Sequence, residues 1–131
     1  MRQLERTIQD FNKAIEVNPN YADAYYYLGM VYCGGDLRQY ENGIQYYDKV
    51  IQLNPNYADA YCYRGIAYYL LKNFKQALEN YTKFIQFNPN KPGGYNLRGD
   101  CYRQLGDEEK AQADFAKAEE LEELEELSKK G

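Results

Sequence analysis

Apolar residues recur along this chain at three- and four-residue spacings, interrupted at regular intervals by the pair Asn-Pro. From Met1 to Val17, the residues Leu4, Ile8, Phe11, Ala14 and Ile15 fall on one helical stripe with polar residues between them, which predicts an amphipathic helix. A second helix is expected from about Ala22 to Cys33, carrying Tyr25, Leu28, Gly29 and Tyr32 and stopped by Gly34-Gly35. A third runs from about Gln39 to Leu53, with Ile44, Tyr47, Val50 and Ile51 on one face. The pattern then returns as Tyr61, Gly65 and Tyr68 followed by Ala77, Tyr81 and Phe84, with Lys72-Asn73 as the turn. It returns once more as Tyr95, Gly99 and Tyr102 followed by Ala111, Phe115 and Ala118, with Gly106-Asp107 as the turn. No stretch alternates with the period of a strand. About seven helices in an all-α chain are predicted.

The joints between these pairs are nearly identical. Asn-Pro-Asn-Tyr-Ala-Asp-Ala-Tyr occurs at 18–25 and again at 54–61, with a weaker copy, Asn-Pro-Asn-Lys-Pro-Gly-Gly-Tyr, at 88–95. Proline ends the helix before it, and Asn20 or Asn56 is expected to cap the next one, with Asp23 or Asp59 answering free backbone donors. Gly93 and Gly94 predict a weak, mobile start to the last pair, since glycine costs roughly 1 kcal/mol relative to alanine in a helix. Pro19, Pro55 and Pro89 are 36 and then 34 residues apart, a period that signals a solenoid.

Laid on that period, Tyr61-x-x-Arg64-Gly65-x-x-Tyr68, Ala77-x-x-x-Tyr81-x-x-Phe84 and Pro89 resemble the tetratricopeptide (TPR) repeat. The same frame selects Tyr25, Leu28, Gly29 and Tyr32 with Gly43 and Tyr47, then Tyr95, Arg98, Gly99 and Tyr102 with Ala111 and Phe115. The resemblance implies a right-handed α-solenoid of antiparallel helix hairpins. Residues 1–17 would be the second helix of an incomplete repeat, 18–53, 54–87 and 88–120 three full repeats, and 121–131 an acidic helical extension acting as a cap. Gly29, Gly65 and Gly99 are expected to face Gly43, Ala77 and Ala111 where the helices of a hairpin cross. Arg64 and Arg98 stand where the pattern has leucine and are expected to snorkel outward. Two extra residues in the first repeat are assigned to its turn at Gly34 to Leu37.

Composition narrows what such an array could do. A hydrophobic content of 44% is enough for a core, and no export signal or apolar run of membrane-spanning length is seen, so a cytoplasmic protein is expected. Cys33, Cys62 and Cys101 are far apart and odd in number, as free thiols in a reducing compartment would be. Of the net charge of -4, the stretch from Asp107 onward holds ten acidic and four basic residues, so the repeats themselves sum to +2. With no histidine and a single serine, Ser128, nucleophilic Ser-His and Cys-His pairs and histidine metal sites are excluded. No phosphate-binding glycine loop follows a strand. The expectation is a non-enzymatic chain with no cofactor, metal site or small-molecule substrate.

What remains is a surface. In TPR arrays the first helices of successive repeats line a concave groove, and the resemblance assigns to it Asp23, Tyr26, Tyr27 and Met30, then Asp59, Cys62, Tyr63, Ile66 and Tyr69, then Asn96, Leu97, Asp100 and Arg103. Tyr26, Tyr27, Tyr63 and Tyr69 are left without a required packing role and are candidate anchors for a partner. The carboxylate clamp of chaperone-binding TPR grooves has no counterpart, since Tyr26, Met30, Tyr63, Gly93 and Leu97 occupy its places. The expected function is a protein-interaction module, adaptor or scaffold, that holds a peptide or helical segment. The alternatives are self-association through the terminal helices, using Leu121, Leu124 and Leu127, and, less favoured because the groove aspartates repel phosphate, RNA binding.

Overall fold

Prolines and left-handed turn residues decide where the helices of this chain stop. The computed structural model describes residues 2–130, and Met1 and Gly131, the outer ends of the first and last expected segments, lie outside the described residues. Among the described residues the regular structure is seven helices: α1 (Arg2–Val17), α2 (Ala22–Cys33), α3 (Tyr40–Leu53), α4 (Ala58–Leu70), α5 (Phe74–Phe87), α6 (Pro92–Gln104) and α7 (Glu108–Lys130). The pairs α2/α3, α4/α5 and α6/α7 are antiparallel hairpins, and each hairpin packs its second helix on the first helix of the next. The architecture is the all-α solenoid that the period predicts.

Each hairpin turns through one residue with positive φ, Arg38, Lys72 and Gly106, and the next residue's N–H donates to the carbonyl of Tyr32, Tyr68 or Tyr102. Glycine carries this conformation without strain only at the third turn. The extra residues of the first hairpin do fall in its loop, which runs 34–39 where the later ones run 71–73 and 105–107.

The proline joints work differently from expectation. Asn20 and Asn56 cap nothing: the N-cap positions are Tyr21 and Tyr57, with no side-chain capping bond. Instead Asn18 and Asn54 accept, through Oδ1, the N–H of Asn20 and Asn56 at 3.1 Å. A short asparagine side chain reaches a backbone donor two residues ahead more readily than one in the following helix. A phenol then closes each joint. Tyr25, Tyr61 and Tyr95 donate to the carbonyls of Pro19, Pro55 and Pro89 at 3.0, 2.8 and 2.8 Å. The weak third start is nevertheless helical, because Pro92 stands in the first helical turn, where a missing N–H costs nothing, and Gly94 lets α6 approach Phe84 and Ile85.

Inside the hairpins the atoms nearest Gly29, Gly65 and Gly99 belong to the rings opposite. A Cβ on Gly29, Gly65 or Gly99 would lie 2.6, 2.8 or 2.6 Å from Tyr47, Tyr81 or Phe115. Gly43 meets its expected neighbour, approaching the carbonyl of Gly29 and the Cys33 thiol. Arg64 and Arg98 do not snorkel into water. Arg64 donates to Asn80 and to Asp48, and Arg98 forms a two-pronged bond to the buried Asp114 at 2.8 and 2.8 Å. A planar guanidinium finds its acceptor across the hairpin before it finds solvent. Leu121, placed by sequence in the cap, is core: it packs with Ile85, Tyr95 and Ala118. Leu124 and Leu127, one and two turns on, are exposed.

Candidate functional site

α2 touches α4 directly while α3 and α5 make no comparable contact, so α2 and α4 share one continuous surface. Its framework is a cluster of tyrosines. The Tyr26 ring sits 5.4 Å from Tyr27, 6.1 Å from Tyr47, 5.0 Å from Tyr57 and 6.0 Å from Tyr63, linking α2 to α3, the second joint and α4. The contacts to Tyr27 and Tyr63 are edge-to-face, an arrangement that favours fixed ring positions.

Tyr26 is thus a core residue, 8% exposed, and not an available anchor. Burial first, then the nearby Asp59 carboxylate, pushes its phenol well above the usual tyrosine range. Tyr69 is also engaged, packed edge-on against Phe74 beside the cluster of Ala77, Tyr81 and Cys101. Helical spacing alone could not separate these rings from the free ones, because the neighbours that cover them, Tyr47, Tyr57 and Phe74 among them, come from other elements of the chain. Tyr27 and Tyr63 are the two that remain open, at 46% and 38% exposure, with Met30 exposed beside them. Phe11 of α1 stacks on Tyr27 at 5.5 Å and holds it in place.

Cys62, Ile66 and Leu97 are half-buried, the last two against the Tyr81 cluster. Burial, reinforced by Asp59 and opposed by Lys91, moves the Cys62 thiol up to about 11, so it is no nucleophile at neutral pH. Asn96 and Asp100 are exposed on α6. Arg103 is committed elsewhere: it binds both oxygens of Glu108 at 3.0 and 2.7 Å and lies over the Phe115 ring.

The two aspartates of the identical joints have different fates. Asp23 accepts a 2.6 Å bond from Tyr57 Oη. Asp59, its equivalent on α4, has no such partner among the described residues, because the position that Tyr57 holds is Lys91 in the next joint, outside ion-pair distance. Tyr57 and Lys91 were therefore missed as site residues. The signal was present, as the substitution of lysine for tyrosine at the same place in the third joint. Among the described residues no group of three or more Cys, Asp and Glu side chains could hold a metal ion.

Comparison with known proteins follows the same frame. Profiles described as tetratricopeptide repeat match residues 58–91 and 80–113, and one described as TPR repeat matches 3–33 and 36–72. Among solved structures, a crystal structure of MamA protein is 31% identical with a TM-score of 0.83, covering 92% of this chain and 64% of that one. A MamA fragment from Desulfovibrio magneticus RS-1 is 25% identical with a TM-score of 0.84, covering 92% and 67%. A double mutant of MamA RS-1, 24% identical at a TM-score of 0.86 and covering 94% and 68%, shares the fold. The chain thus spans just under two thirds of the first of these relatives. No curated protein sequence matches it.

Proposed function

This chain belongs to the tetratricopeptide repeat family, and on that footing we propose that it is a non-enzymatic interaction module holding a partner's peptide or helical segment against the inner face of α2 and α4. The observation that carries the reading is the exposure of Tyr27, Met30 and Tyr63 on the side where α2 and α4 meet. Large side chains left open on one surface, with Tyr27 stacked on Phe11 and Tyr63 edge-on to Tyr26, are the usual form of a binding anchor. Asn96 and Asp100 extend the same face onto α6, with the repeats taken as 18–53, 54–87 and 88–120 after a half repeat. Affinity is expected to be micromolar, on the order of -8 kcal/mol. No helix among the described residues is long and apolar enough to cross a membrane, and the three free cysteines fit a reducing compartment such as the cytoplasm.

The test is the double variant Tyr27→Asp with Tyr63→Asp, both at exposed positions. It should keep its helical circular dichroism and lose capture of the partner segment; a folded variant that still captures it rules the groove out. A second reading, self-association, is supported by Leu124 and Leu127, which stand exposed on α7 beyond the buried Leu121. Sedimentation that shows monomer at every concentration would dismiss it.

A further inference from the structure

Asp23 and Tyr27 on α2, and Asp59 and Tyr63 on α4, are the same pair one helical turn apart, so in each pair the carboxylate and the ring stand on the same side of their helix. The first pair is fully occupied. Its carboxylate takes the Tyr57 phenol at 2.6 Å and its ring is stacked by Phe11. α6 has no such pair, carrying Gly93 and Leu97 at those positions. Only on α4 is the pair open: Tyr63 is 38% exposed and touched edge-on by Tyr26, while Asp59 is exposed and in no ion pair or side-chain hydrogen bond among the described residues.

We infer that Asp59 and Tyr63, backed by Tyr26, form a receptor for one cationic side chain, a guanidinium or ammonium, of the bound segment; this rests on the groove reading above. The π-face of a ring attracts a cation, and a carboxylate one turn away both strengthens that attraction and supplies an acceptor for its N–H groups. An anionic side chain is repelled from the same place, and a purely apolar one would leave Asp59 covered and unsatisfied. The partner thus presents an arginine or lysine at this point, with apolar residues toward Tyr27 and Met30.

A random dodecapeptide library displayed on phage, panned on the full chain and on the Tyr27→Asp/Tyr63→Asp variant, separates the two readings. Peptides that depend on the tyrosines should share one arginine or lysine. In a synthetic copy, replacing that arginine by the neutral citrulline, or that lysine by norleucine, should weaken binding about tenfold by fluorescence anisotropy. Asp59→Asn, a substitution at an exposed site, should cost the same, and the two changes together no more than either alone. Asp23→Asn should alter affinity by less than about twofold, since that carboxylate is already bonded. No tyrosine-dependent peptide at all overturns the groove reading and this inference with it. Tyrosine-dependent peptides without a shared cation, or equal losses from Asp23→Asn and Asp59→Asn, overturn the inference alone and leave the groove standing.

Discussion

The first and third hairpins close the same gap with opposite chemistry. In α2/α3 the slot holds Leu28, fully buried, and across it Tyr46 stacks on Tyr32 at 5.3 Å. In α6/α7 the equivalent residues are Arg98 and Asp114, an ion pair sunk between helices with the guanidinium flanked by Tyr95 and Tyr102. The middle hairpin is intermediate, pairing Arg64 with the amide of Asn80, whose own NH2 donates to the Gln76 carbonyl. One backbone geometry accepts hydrocarbon, amide or salt bridge. The slot is therefore specified by pairs: either partner alone is the wrong residue.

The most damaging way to break this symmetry is to put half of one solution into the other hairpin. Leu28→Arg would bury a guanidinium opposite a tyrosine, and should cost about 4 kcal/mol by urea denaturation, with part recovered on adding Tyr46→Asp. Next, Asp114→Leu strands Arg98 and should cost about 3 kcal/mol, whereas Arg98→Leu with Asp114→Leu should lose no more than about 1 kcal/mol. A double variant as unstable as the single one would show that the ion pair is required outright. Gly65→Ala probes the ring-accommodating glycines and should cost about 2 kcal/mol, since Tyr81, fully buried, has nowhere to retreat from a Cβ at 2.8 Å. Smallest is the surface pair of the third hairpin. Arg103 first, then Gln112, holds the Glu108 carboxyl down at about 2. A depressed carboxylate contributes stability above its unfolded value near 4.5, lost as pH falls through about 2. Carbon-13 titration of Glu108 should show that midpoint, and Arg103→Gln should return it toward the ordinary range.

Much of the fold was legible because its signals are local. Proline at 19, 55 and 89 constrains the backbone wherever it stands, so helix number and order, and the bounds of the first three helices to within about a residue, could be read from the sequence. The site was less legible because burial there is set by neighbours distant in sequence. Tyr26 and Tyr27 are adjacent tyrosines with the same propensities; only Tyr47 and Tyr57, brought in by α3 and the second joint, cover the first and spare the second. The arginines were misjudged for a related reason. Considered one position at a time, Arg64 and Arg98 are departures from a leucine, and the fact that explains them is the polar residue 16 positions on, Asn80 or Asp114.

The three phenols that bond the proline carbonyls also have a mechanical meaning. Each joint is braced across six residues by one bond of nearly the same length, worth about 1 kcal/mol, so the three joints repeat one local geometry. On the proposed reading, a segment lying along α2 and α4 would meet anchor positions set by a joint of the same local build at each step.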